Sequence, residues 1–203
     1  MSDPRPMLPI PAAARFIAAE VYDLALFVDS MVILRPTRKV RLSAQERETR
    51  EFSSDTALGD WYVNRIIVHR QPLLILISSV SLLPTLTAAR DVQSLPDRLA
   101  DLVGDRLVRL GIQAKLITAE KKAMQPTQVG RTIDRSVVGI MVDFAKALPY
   151  YLSAGWNENT LRLAEDRLAR TPCYAGQSDR VIFPDQRARE VLREKWGTLD
   201  NTL

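Results

Sequence analysis

Residues 58–79, LGDWYVNRIIVHRQPLLILISS, carry the densest β signal in the chain and decide how the rest is read. From Trp61 to Val68 the pattern alternates imperfectly. Tyr62, Ile66 and Val68 fall on one side, and Trp61, Val63 and Ile67 on the other. Residues 73–77 are apolar throughout, as in a strand at the centre of a sheet. His69 to Pro72 leaves room only for a tight connection, although it lacks the Asn-Gly chemistry of the commonest hairpin turns. The expectation is an antiparallel hairpin over about residues 59–79 at the sheet centre.

Working outward, MVILRP reads as a short strand ended by Pro36. Downstream, SLPDRLADLVGDRLVRLGI predicts a helix with a capping-box-like start at Ser94 and Asp97. Its buried stripe is Leu99, Leu102, Val103, Leu107 and Leu110, and Gly111 is its stop. The stretch AKLITAEKKAMQ is ambiguous, and PTQVGRT suits another strand. Three further helices are expected in TIDRSVVGIMVDFAKALPYYL, NENTLRLAEDRLART and PDQRAREVLREKW, the last with Pro184 at its start. Paired strands followed by helices argue for an α+β fold, an antiparallel sheet with helices packed on one side. Residues 31–198 form the expected single domain. Residues 1–30 add a proline-rich segment and an amphipathic helix carrying Phe16, Ile17, Val21, Leu24 and Phe27.

The 203 residues are 46% apolar and 26% charged, the composition of a globular protein rather than a disordered one. No stretch has the continuous apolar length of a membrane span, and MSDPRPMLPIPAAARFIAAE lacks the basic start and apolar run of a secretory signal. With Cys173 the only cysteine, no internal disulfide is available, and a cytoplasmic setting without a membrane partner is expected. The net charge of +4 permits an anionic partner without demanding one. The densest positive run is RPTRKVR, where Arg35, Arg38, Lys39 and Arg41 are candidates to track phosphates, with Trp61 and Tyr62 nearby to stack on bases. The same run also suits a strand edge guarded by charge.

Gly139 raises a separate question. In its helix Val137, Ile140, Met141, Phe144, Leu148 and Tyr151 share the apolar face, while Ser136, Gly139 and Asp143 lie opposite, near Arg135. A glycine inside a helix is less stable than alanine by about 1 kcal/mol, and close approach by another backbone or a ligand is the usual compensation. The Gly139 face is therefore expected to be covered, by another element or by a ligand. Asp143 equally suits a surface pair with Lys146.

Catalytic sets are sparse. His69, the only histidine, lies in a turn, and a Cys173–His69–Asp143 set is conceivable only by residue type. One cysteine and one histidine exclude an ordinary zinc site. Magnesium chemistry at Asp143 needs a second acid, and spacing selects neither Asp134 nor Asp60. No cofactor or metal is expected.

The runs LGDWYVNRIIV, LLILISSVSLLP, TIDRSVVGIMVDF and LAEDRLARTPC, in this order, resemble an uncharacterised bacterial domain-of-unknown-function family. Its pattern has W-Y-x-N on a strand, an R-S-V-x-G-x-M-x-D-F helix and a late T-P-C loop, matching about residues 32–196. The resemblance implies functional weight at Trp61, Asn64, Arg135, Ser136, Gly139 and Asp143, with Pro172 and Cys173 in the late loop. The chain departs from the pattern at Ile133 and Asp134, and at Val142, where the family has asparagine. The combined reading is a binding or interaction module, with nucleic acid or a protein partner as ligand. Self-association through the N-terminal helix is a further expectation. The alternative is a small hydrolase or nuclease-like enzyme using Asp143, Ser136 and Arg135.

Overall fold

The computed structural model describes residues 30–42, 54–153, 155–174 and 181–200. The expected N-terminal helix, and most of the charged run after Arg41, lie outside these residues. Seven strands are described: β1 (Val32–Pro36), β2 (Trp61–Val68), β3 (Gln71–Ser78), β4 (Pro84–Ala88), β5 (Thr127–Val129), β6 (Cys173–Tyr174) and β7 (Val181–Ile182). The helices are α1 (Leu95–Arg109), α2 (Ala114–Ala123), α3 (Arg135–Tyr151), α4 (Glu158–Ala169) and α5 (Pro184–Trp196). The α+β class holds. None of the described helices is long and apolar enough to cross a membrane.

The hairpin forms as the pattern requires, with Trp61 opposite Ser78 and Val68 opposite Gln71. Its turn residues His69 and Arg70 both have positive φ, 50° and 66°, the two left-handed residues that a two-residue turn of matching twist demands. The five-stranded sheet runs β4-β3-β2-β1-β5. It is mixed rather than antiparallel, because β1 lies parallel to both β2 and β5.

Helices cover both faces, not one. Val32, Leu34, Trp61, Val63, Leu74 and Leu76 pack against α1, α2 and α5. Tyr62, Leu73, Ile75 and Ile77 pack against α3 and α4. The reason lies in β3, whose residues 73–77 are all fully buried. Consecutive side chains point to opposite faces, so an unbroken apolar run needs cover on both sides.

Glu120 of α2 ties the first of these layers together. Its carboxylate is fully buried and accepts the N–H groups of Ala57 (2.9 Å) and Leu58 (3.0 Å) and the Trp196 indole N–H (2.7 Å). One side chain thus fixes the loop entering β2 to the end of α5.

Glycine places the close approaches elsewhere than expected. A Cβ at Gly139 would meet nothing within 4 Å among the described residues, and Gly139 is exposed. None of the described elements therefore covers the Gly139 face, and the expected N-terminal helix lies outside the described residues. The tight glycine is Gly59, at φ 73°, where a Cβ would lie 2.4 Å from Ser79 Oγ and 2.7 Å from Val80 Cγ2.

Candidate functional site

The β2–β3 hairpin outruns β1 on one side, while β4 follows it to Leu73 on the other. β1 ends at Pro36, opposite Val63, whereas β2 continues to Val68. Beyond Pro36 the chain turns across the sheet end, with Thr37 N–H donating to the Val63 carbonyl (2.9 Å) and Thr37 Oγ1 to Asn64 Oδ1 (2.8 Å). These two bonds give Asn64 its place. It is a buried bracket for the segment that carries Arg38, Lys39 and Arg41.

That segment is held against the sheet by Val40, which is buried in the α1 side of the core. Lys39 and Arg41 then line an open groove of about 360 Å³ with Arg65, Ala89 and Val92. Gln93 fixes the far end by donating to the Arg41 carbonyl (2.9 Å). Arg38, Lys39, Arg41, Arg65 and Arg70 are all exposed, and none has a carboxylate partner among the described residues. Ile67, between Arg65 and the turn, is 69% exposed. The result is a cationic hairpin end with an exposed apolar side chain, Ile67, below its turn.

Three expected members of this surface are not on it. Arg35 is only 5% exposed, pairs with Asp60 and donates to the Arg131 carbonyl (2.6 Å). Strand alternation turns it inward, where it locks β1 to the start of β2 and the end of β5. Trp61 is fully buried and Tyr62 is 1% exposed, so neither ring offers a face to a base. Arg65 and Arg70 are the members that sequence reading missed. Both stood in the quoted hairpin, and only the register shows that β1 stops short and leaves them uncovered.

The helix face singled out by the resemblance has its own geometry. Asp134 is the N-cap of α3. Its Oδ1 accepts the N–H of Ser136 (2.7 Å) and of Val137 (3.4 Å), and the Ser136 hydroxyl (2.7 Å). Partial burial raises the Asp134 pKa, but these hydrogen bonds outweigh it and hold the carboxyl below its usual range. Ser136 is thereby engaged in the cap, and Arg135 is exposed beside it. Asp143 pairs with Lys146 at 3.2 Å on the helix surface, both side chains being largely exposed.

Asp143 also borders a groove of about 250 Å³ with Phe144, Tyr151, Pro172 and Cys173, so the helix motif and the Thr-Pro-Cys loop do meet. Burial first, and then the Asp143 charge, push the Cys173 thiol up to about 11, so it stays protonated at neutral pH. Its Sγ donates to the Thr171 carbonyl at 3.4 Å, and His69 sits in the hairpin turn rather than in this groove. Among the described residues, no group of three or more His, Cys, Asp or Glu side chains has the arrangement to hold a metal ion.

A family model described as a domain of unknown function, DUF6933, matches residues 33–187. The chain belongs to the DUF6933 family. No curated protein and no solved structure matches it. The DUF6933 match spans the whole five-stranded sheet apart from Val32, and all of α1 to α4, so both the hairpin end and the α3 groove lie inside it.

Proposed function

We propose that this DUF6933 domain is a binding module that engages polyanions, nucleic acid foremost, through the hairpin end. The observation that carries the reading is the set Arg38, Lys39, Arg41, Arg65 and Arg70: five exposed cations around one hairpin end, without acidic partners among the described residues. Unpaired cations retain their full charge for phosphates, whereas cations already paired would have to break an ion pair first. With Trp61 and Tyr62 in the core, the contact is to the backbone rather than to stacked bases, so little dependence on sequence is expected.

The test is fluorescence anisotropy with a labelled single-stranded oligonucleotide across a salt series. Each phosphate contact contributes about 0.7 to the slope of log affinity against log salt, so five contacts give a slope of about 3.5. The triple variant Arg38→Ala, Lys39→Ala, Arg41→Ala should lower the slope by about 2, and Arg65→Ala with Arg70→Ala by about 1.4. Wild-type protein that fails to bind at low salt rejects the proposal, as does binding that all five substitutions leave unchanged.

A further inference from the structure

A second surface lies along the free edge of the sheet at β4, next to the hairpin end at Gln71 and Pro72. β4 is the edge strand there, and a cleft of about 660 Å³ runs along it between α1 and the start of α4. Thr85, Leu86, Ala88, Arg109, Trp156 and Glu165 are among its lining residues.

The register decides which backbone groups face that cleft. Leu86 stands opposite Ile75, yet its N–H donates to Glu165 Oε1 at 2.6 Å, so it points away from β3. In an antiparallel ladder, outward and inward residues alternate. Ala89 N–H donates to the Pro72 carbonyl (3.1 Å), on the inward side, so Ala88 is outward like Leu86. Ala88 therefore presents both its N–H and its C=O to the cleft, and neither has a protein partner among the described residues.

Glu165 is held by Arg109 (2.6 Å), and next to it Arg106 is held by Asp166 (2.6 Å), which fixes α1 to α4 across the sheet edge. Glu165 caps the edge at Leu86 and stops there. Two lining side chains have shielded polar atoms without a partner: Thr85 Oγ1, in a residue 2% exposed, and Trp156 Nε1. An indole N–H only donates, so its complement is an acceptor such as a carbonyl.

We propose that this cleft docks a short extended peptide segment, which adds to the outer edge of β4 at Ala88. The peptide main chain exchanges both hydrogen bonds with Ala88, one of its carbonyls accepts from Trp156, and Glu165 sets the limit of pairing at Leu86. A peptide is the chemistry that matches an adjacent donor and acceptor on strand spacing. A cleft of this volume accommodates a few residues.

A random heptapeptide library displayed on phage, selected on the full chain, supplies the probe. Enriched peptides are then synthesised and measured by calorimetry. Ala88→Pro removes only the outward N–H, a substitution an edge strand tolerates, and should weaken binding about tenfold. Trp156→Phe should weaken it several-fold, and Lys146→Ala on α3 should leave it unchanged. Should Ala88→Pro unfold, amide exchange on wild-type protein replaces it, with the Ala88 amide slowed by peptide and the Thr85 and Thr87 amides unchanged. A library that yields no binding peptide overturns the proposal. So does binding that leaves Ala88 exchange unaltered, or that Ala88→Pro retains.

Discussion

Removing the Glu120 carboxylate by Glu120→Ala tests whether one buried side chain holds the loop before β2 against α5. Three donors converge on it: Ala57 N–H, Leu58 N–H and Trp196 Nε1–H. A buried donor left without a partner costs about 1–3 kcal/mol. Trp196 is 8% exposed and can turn part of its indole to water, so the two backbone groups set the scale. They give about 2–6 kcal/mol, and relief of the carboxylate's own desolvation moves the expectation to about 3 kcal/mol. For a chain of this size that is a fall in melting temperature of about 6–12 °C. Calorimetry or circular dichroism reads it directly. A Glu120→Ala protein within about 1 kcal/mol of wild type would refute the clamp. The pH dependence supplies a second test. Burial raises the Glu120 pKa and outweighs the bonds from Leu58, Ala57 and Trp196 that lower it. The folded state thus favours the neutral carboxyl. That contribution is complete below the unfolded pKa and is lost as pH rises through the folded one. Glu120→Gln stays neutral at every pH. The stability advantage of wild type over Glu120→Gln should therefore shrink as pH rises from the ordinary glutamate range, and an advantage that grows instead refutes the assignment.

Gly139→Ala should stabilise the protein by about 0.5–1 kcal/mol in chemical denaturation, since its Cβ would meet nothing among the described residues; destabilisation would show a partner on that face. Gly59→Ala should do the reverse, costing upwards of about 1 kcal/mol, because its backbone has φ 73° and the added carbon meets Ser79. Arg35→Ala leaves Asp60 in a largely buried site without its cation, and should cost about 3 kcal/mol with the salt slope of nucleic-acid binding unchanged, as read by melting and anisotropy. His69→Asn with Arg70→Gly places residues suited to positive φ in the hairpin turn, and should raise stability by about 1 kcal/mol; a lower melting temperature would contradict the turn geometry.

Local patterning alone determined the hairpin, the strand at Val32–Pro36 and the positions of four of the five helices. These follow from periods of two or 3.6 residues and from stop signals such as Gly111, whose φ of 70° matches its role. The core face of α3 was equally legible: Val137, Met141, Phe144 and Leu148 are buried as their spacing requires. Other features were not local. Ser94 was expected to cap α1, but its Oγ accepts from Arg98 and donates to the Asp91 carbonyl instead. β4 alternates only over Thr85-Leu86-Thr87-Ala88, too short a run to stand out after Pro84, and is fixed as a strand by its pairing with β3. Parallel pairing of β1 depends on partners from distant parts of the sequence, and no local signal records it. The candidate sites divide in the same way. A count of charges marks Arg35, Arg38, Lys39 and Arg41 as equals. Only the pleat, which turns Arg35 in to Asp60, and the early end of β1, which leaves Arg65 and Arg70 uncovered, decide which cations face solvent. Composition and period are properties of the chain, whereas exposure is a property of neighbours, and neighbours are assigned by tertiary packing.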